Sequence, residues 1–143
     1  MARRKLVEGI WLTGTVTTTD STNWILVASF DMTSNGAPPD KVAAADCVVF
    51  CEGKLMGWES ATFQRGAVLV GMRSFHYVSG TLIGIESDPG AQIYQAVYAS
   101  IVATFSIRIH DSIASTIAFY VRGTSSKTID WIGDMKISLW QPS

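Results

Sequence analysis

The densest run of chemically capable side chains is Arg108-Ile109-His110-Asp111-Ser112. Serine, histidine and aspartate are the parts of a nucleophilic triad, in which the base touches the nucleophile and the acid orients the base. Consecutive residues on a strand point to opposite faces, so these three do not converge by local geometry. The expected role of Arg108 and His110 is to line a solvent or interface face. Glycoside hydrolysis needs two acids facing across a cleft. Glu52, Glu59, Glu86, Asp111 and Asp134 all fall near expected turns or strand ends, and none stands out. On a strand, Cys47 and Cys51 share one face about 13 Å apart, well beyond the Cα limit of roughly 7 Å for a disulfide. A single C-x3-C pair without a nearby histidine is a poor zinc signature. Two buried free thiols are expected, which suits an intracellular site of synthesis. No glycine pattern matches a phosphate loop. No catalytic residue, metal or cofactor is expected.

The aromatics are the one enriched class: Trp11, Trp24, Trp58, Trp131 and Trp140 are spread along the chain. Trp24 shares parity with Leu26 and Phe30 and is expected in the core. Trp140 has the parity of Asp134, Lys136 and Ser138, and Tyr120 opposes Ile117, Phe119 and Val121, so both are expected to face outward. Outward aromatics on strands anchor protein interfaces or stack on sugar rings. Trp58, Trp131 and Trp140 are the sugar-binding candidates.

Positioning these residues falls to strands. Ile101, Ala103, Phe105, Ile107 and Ile109 alternate with polar or small residues, and Ile117, Phe119 and Val121 resume the pattern after HDSIAS. This predicts two long antiparallel strands, each with one buried face. Further strands are expected over 10–19, 23–32 (Trp24, Leu26, Ala28, Phe30 and Met32 on one face), 47–51, 54–59 after a tight turn at Glu52-Gly53-Lys54, 67–72, 74–87 (Phe75, Tyr77, Ile83 and Ile85 on one face) and 134–140. The 91–100 stretch reads as a strand, although Asp88-Pro89 would also start a helix. Thr33 to Asp46 is the longest irregular stretch, with Asn35, Pro38 and Pro39 as breakers, and a loop of that length tends to contact something. No helix-periodic segment of length appears. The expectation is an all-β, antiparallel, jelly-roll-like sandwich of about eight to ten strands. A flexible basic arm over residues 1–9 would precede a single domain over 10–143.

At 143 residues one domain is expected, large enough to fold without disulfides or metal. Charged residues make up 16%, against about 25% in a typical soluble domain. Either Ser and Thr cover the exposed faces, or other subunits cover part of the surface. A net charge of −1 leaves no footprint for nucleic acid. No apolar run reaches membrane-helix length, and Glu8 interrupts any signal core, so neither membrane insertion nor secretion is expected.

The pair SIVATFSIRI and STIAFYVRGT, followed by MKISLWQ, resembles the C-terminal half of viral and TNF/C1q-like jelly rolls, over about residues 92–140. The compact, low-charge chain without disulfides also resembles tailed-phage capsid decoration (cement) proteins and fibre or tail domains. The resemblance implies a homo-oligomer, with a trimer favoured, that binds the major capsid protein or other virion subunits and resides in the virion. The alternative it leaves open is a tail or fibre module recognising a host glycan. The expected contacts are the arm (Arg3, Arg4, Lys5), the loop (Asn35, Pro38, Pro39), Tyr120 and Trp140. Small, uncharged Thr104 and Ala118 mark a face that another protomer covers at little desolvation cost.

Overall fold

The computed structural model describes residues 3–33, 46–61, 66–84, 92–97 and 104–142, with side chains from residue 10 onward except in 92–97 and 141–142. Among the described residues, nine strands form two antiparallel sheets. The larger has the order β1 (Arg3–Thr18), β9 (Ile129–Pro142), β3 (Cys47–Glu59), β4 (Gly66–Val78). Both β5 (Thr81–Gly84) and β6 (Gln92–Val97) pair with the other side of β4, at residues 75–78 and 67–71. The smaller sheet has the order β2 (Ile25–Asp31), β8 (Thr116–Arg122), β7 (Thr104–Ile109).

Alternation puts the core between the sheets. Val49, Cys51 and Leu55 of β3 and Met135, Ile137 and Leu139 of β9 are buried from one side, and Phe30, Ile107, Ile117, Phe119 and Val121 from the other. Each large side chain so buried contributes about 1.5–3 kcal/mol. Phe105 and Phe119 pack edge to face with centroids 5.5 Å apart. The chain passes between sheets from β1 to β2 and from β8 to β9, and these strands pair β1 with β9 and β2 with β8, as the ends of a jelly roll do. In the middle, β3, β4 and β5 instead run as a meander within one sheet. The expected all-β sandwich therefore forms. The strand reading of 91–100 holds for Gln92–Val97, while 101–103 lie outside the described residues.

Several local expectations are overturned. Glu52-Gly53-Lys54 is no turn, because β3 runs straight through it. Gly53 faces inward, where a Cβ would sit 3.0 Å from the Phe119 ring. β1 begins at Arg3 rather than Ile10, with backbone pairs Arg3↔Pro142, Arg4↔Gln141 and Lys5↔Trp140 in place of a separate arm, and with register shifts before Ile10. β9 begins at Ile129, earlier than read, and takes Trp131 into the core. In β2 a register shift between Leu26 and Ala28 accommodates Val27 as an extra residue. A bulge of this kind reverses parity: Val27, Phe30 and Met32 are buried, whereas Leu26 is exposed and Trp24 lies outside the core.

The β4–β5 hairpin shows the same effect. Ser79 and Gly80 form its two-residue turn, both at positive φ (51° and 81°), and Val78 pairs with Thr81. Leu82 is therefore buried, and Ile83, expected inward, is exposed. Such turns favour Asn-Gly. Ser79→Asn is expected to raise stability by about 0.5–1 kcal/mol, since it relieves part of the left-handed penalty on Ser79. The Ser79 N–H donated to Asp46 (3.0 Å) is a backbone group and survives the change. A shift of the urea midpoint measures the gain.

Candidate functional site

The two outer faces of the sandwich differ in kind. On the small sheet, β8 is the middle strand, and Ala118 and Tyr120 point away from the core alongside Arg108 of β7. The Arg108 guanidinium lies 4.1 Å above the Tyr120 ring and 5.0 Å from the Trp24 ring. The Arg122 guanidinium lies 4.6 Å from the same Trp24 ring. Arg108 also grips Asp111 with two hydrogen bonds of 3.1 and 2.9 Å. This holds the Asp111 carboxyl below its ordinary range, chiefly through the hydrogen bond from Arg108. The Asp111 N–H in turn donates to the Tyr120 hydroxyl at 3.2 Å. The result is a covered face: Ala118 and Tyr120 are buried within their own chain, and Thr104 is half-buried. Tyr120 thus has the expected outward direction but is covered by Arg108 and Asp111, and Ala118 beside it is covered as well, while Thr104 keeps part of its surface open. Long arginine stems cover the small residues beside them.

His110 and Ser112 do meet, contrary to the argument from strand geometry, because they lie past the end of β7. The Ser112 N–H donates to His110 Nδ1 at 3.1 Å, and Ser112 Oγ lies 3.3 Å from the same nitrogen. Asp111 is held by Arg108 and does not orient the imidazole. The ring nitrogen nearest the hydroxyl already accepts a backbone N–H, so the three residues lack a triad's relay.

Cys47 and Cys51 are buried and unbridged, as expected. Burial, with Asp46 nearby, pushes the Cys47 thiol up to about 11. A thiol of that kind is a poor nucleophile. Among the described residues no group of three His, Cys, Asp or Glu side chains could hold a metal, and no helix is long and apolar enough to cross a membrane.

The outer face of the large sheet is open. Its exposed apolar side chains are Trp11 (58%), Met56 (53%), Ile132 (38%) and Val68 (37%), with Val78 and Ile83 at its far edge around the β4–β5 hairpin. The register sets them in rows across the strands: Trp11–Lys136–Glu52–Met72, then Thr13–Asp134–Lys54–Val70, then Thr15–Ile132–Met56–Val68. Two adjoining hollows of about 240 and 370 Å³ share Lys54, Val70 and Asp134 as lining. Lys136 Nζ lies 5.7 Å from the Trp11 ring, and Thr13 Oγ1 donates to Asp134 at 2.8 Å. Trp140, expected outward, is half-buried on this face beside Val48. Trp131 points the other way and is 1% exposed, which removes it from the sugar-binding candidates. Trp11 was not singled out in the sequence, although its parity with Thr13, Thr15 and Thr17 marks it as outward. The side chains of Arg3, Arg4 and Lys5 are not described, and Asn35, Pro38 and Pro39 lie outside the described residues.

Neither a protein-family model nor a curated protein matches the chain. Among solved structures it is similar to the tailspike protein of Acinetobacter baumannii phage AM24, at 12% identity and a TM-score of 0.42, over 94% of this chain and 26% of that one. The chain thus spans about a quarter of the tailspike's length.

Proposed function

We propose that this chain is a non-enzymatic structural subunit of a bacteriophage particle: an oligomeric β-sandwich that binds neighbouring subunits and stabilises the particle, as a capsid decoration protein does. The observation that carries this reading is the open outer face of the large sheet. Trp11, Met56, Ile132 and Val68 are exposed together there, on a chain with few charges elsewhere. Ile132, Met56 and Val68 stand side by side in one row and Trp11 two rows away, with charged residues between. Exposed apolar surface rimmed by polar residues marks an interaction site. Several modest contacts made at once hold a subunit through avidity. The trimer implied by the resemblance would have used Thr104, Ala118 and Tyr120. With that face covered, the contact passes to the large sheet.

The test is fractionation. Purified protein added to particles lacking it is expected to co-sediment with capsids, and to raise the temperature at which they open. Protein that stays in the supernatant at micromolar concentration rules the reading out. A second reading, a tail or fibre module for a host glycan, draws on Trp58 and Trp140, which are half-buried on the same face. It predicts that host polysaccharide shifts the tryptophan fluorescence, and that Trp58→Ala and Trp140→Ala abolish the shift.

A further inference from the structure

The centre of the open face is a square of four charges. On β9 stand Lys136 and Asp134, and beside them on β3 stand Glu52 and Lys54, with the pairs Glu52↔Lys136 and Lys54↔Asp134 in register. Signs alternate in both directions, so the square has no net charge. The Glu52 and Lys54 side chains form no hydrogen bond or ion pair with another described residue. A pattern of this kind is complementary to its own image. We propose that the occupant of this face is a second copy of the chain, docked face to face about a two-fold axis that runs along the strands between β3 and β9. The inference rests on the oligomeric reading above and gives it a surface and a symmetry.

Under that axis β9 of one copy lies over β3 of the other. Lys136 then faces the second copy's Glu52, and Asp134 faces its Lys54, each twice by symmetry. Facing sheets stack about 10 Å apart, a gap that a lysine and a carboxylate side chain span together. The apolar positions match as well. Ile132 meets Met56, Trp11 meets Met72, and Trp140 meets Val48, as the rows of the register dictate. The other in-plane axis, across the strands, would also satisfy the charges. It would set Ile132 against Ser138, Val68 against Ser74 and Trp11 against Thr13, so that of these exposed side chains only Met56, against Phe50, meets an apolar partner. Along the strands Trp11, Ile132 and Met56 all do, and only Val68 faces a hydroxyl, that of Thr15. The apolar match selects the axis along the strands.

Sedimentation velocity of the purified chain is expected to show a dimer. Glu52→Lys sets two lysines against each other at two symmetric places, and is expected to weaken the dimer about a hundredfold at roughly tenfold per place. Adding Lys136→Glu restores the pattern and the dimer, whereas adding Lys54→Glu does not. Circular dichroism of each variant checks that it is folded. A second measurement does not depend on charge. Facing residues lie about 10 Å apart across the stacked sheets, a gap that a short bismaleimide spans and a disulfide does not. Trp11→Cys and Met72→Cys proteins, mixed and treated with a bismaleimide of that span, are therefore expected to give a covalent dimer on a denaturing gel, and neither protein alone is. A wild-type monomer or trimer, rescue by Lys54→Glu in place of Lys136→Glu, or a cysteine mixture that stays uncrosslinked overturns the inference. Capsid co-sedimentation by a monomer would overturn it while leaving the particle reading intact, and a dimer that ignores capsids would do the reverse.

Discussion

Trp131→Ala is expected to lower the unfolding free energy by about 3–5 kcal/mol, enough to leave a domain of this size marginal. The indole is 1% exposed, and its ring lies against Gly57 of the neighbouring strand, where a Cβ would come within 2.7 Å of Cδ2. Its Nε1–H donates to Thr18 Oγ1 at 2.9 Å, and Thr18 is itself buried. Two effects are therefore superimposed, a cavity and an orphaned hydroxyl. Trp131→Phe separates them: most of the ring volume stays, and loss of the hydrogen bond is expected to cost about 1 kcal/mol. Gly57→Ala supplies the cycle. Alone it forces a methyl into the ring and costs about 1–3 kcal/mol. In the Trp131→Ala background the same methyl enters vacated space, and that cost should vanish. Guanidinium unfolding of the four proteins measures the coupling, expected to be at least about 1 kcal/mol. Additive costs would mean that Gly57 does not make room for Trp131. A Trp131 variant that loses binding to any ligand reports on folding, which is why Trp58 and Trp140 are the positions that test the glycan reading.

Parity was legible in the sequence wherever strands ran uninterrupted. Cys47, Val49 and Cys51 share the inner face of β3, as do Met135, Ile137 and Leu139 on β9, and Phe105, Ile107, Phe119 and Val121 on the small sheet. It failed at single-residue events that period-two reading does not register. One extra residue at Val27 sent Trp24 and Leu26 outward, and the two-residue turn at Ser79-Gly80 exchanged Leu82 with Ile83. Glycine was misread for a related reason. A glycine between charges looks like a turn, yet Gly53 is the hollow that receives Phe119. The site was the least legible part, because openness depends on the neighbours' length. Tyr120 and Trp11 both have outward parity. Arg108 and Asp111 cover the first, and only the tip of Lys136 approaches the second.

Gly14→Ala is expected to be the costliest single methyl that can be added to this fold, at about 3 kcal/mol or more. Gly14 takes an inward position on β1 directly opposite Gly133 on β9. A Cβ at Gly14 would run into the carbonyl oxygen of Val27, and one at Gly133 would lie 2.9 Å from Val27 Cγ1 and 2.8 Å from Leu55 Cδ2. The two glycines thus form a notch that admits the bulged residue of β2. At Gly133 the obstruction is the ends of side chains, which can rotate, so Gly133→Ala should cost only about 1–2 kcal/mol. At Gly14 it is backbone, and relief requires moving β2 itself. The bulge is also what presents Trp24 to Arg108 and Arg122. A Gly14→Ala protein that still folds should therefore show a changed Trp24 environment, while Thr15→Ala, an exposed neighbour on the same strand, stays within about 0.5 kcal/mol of wild type. Chemical denaturation gives the order Gly14, Gly133, Thr15. Equal costs at the two glycines would show that β2 yields as readily as a side chain, and that the notch does not set how closely the sheets approach.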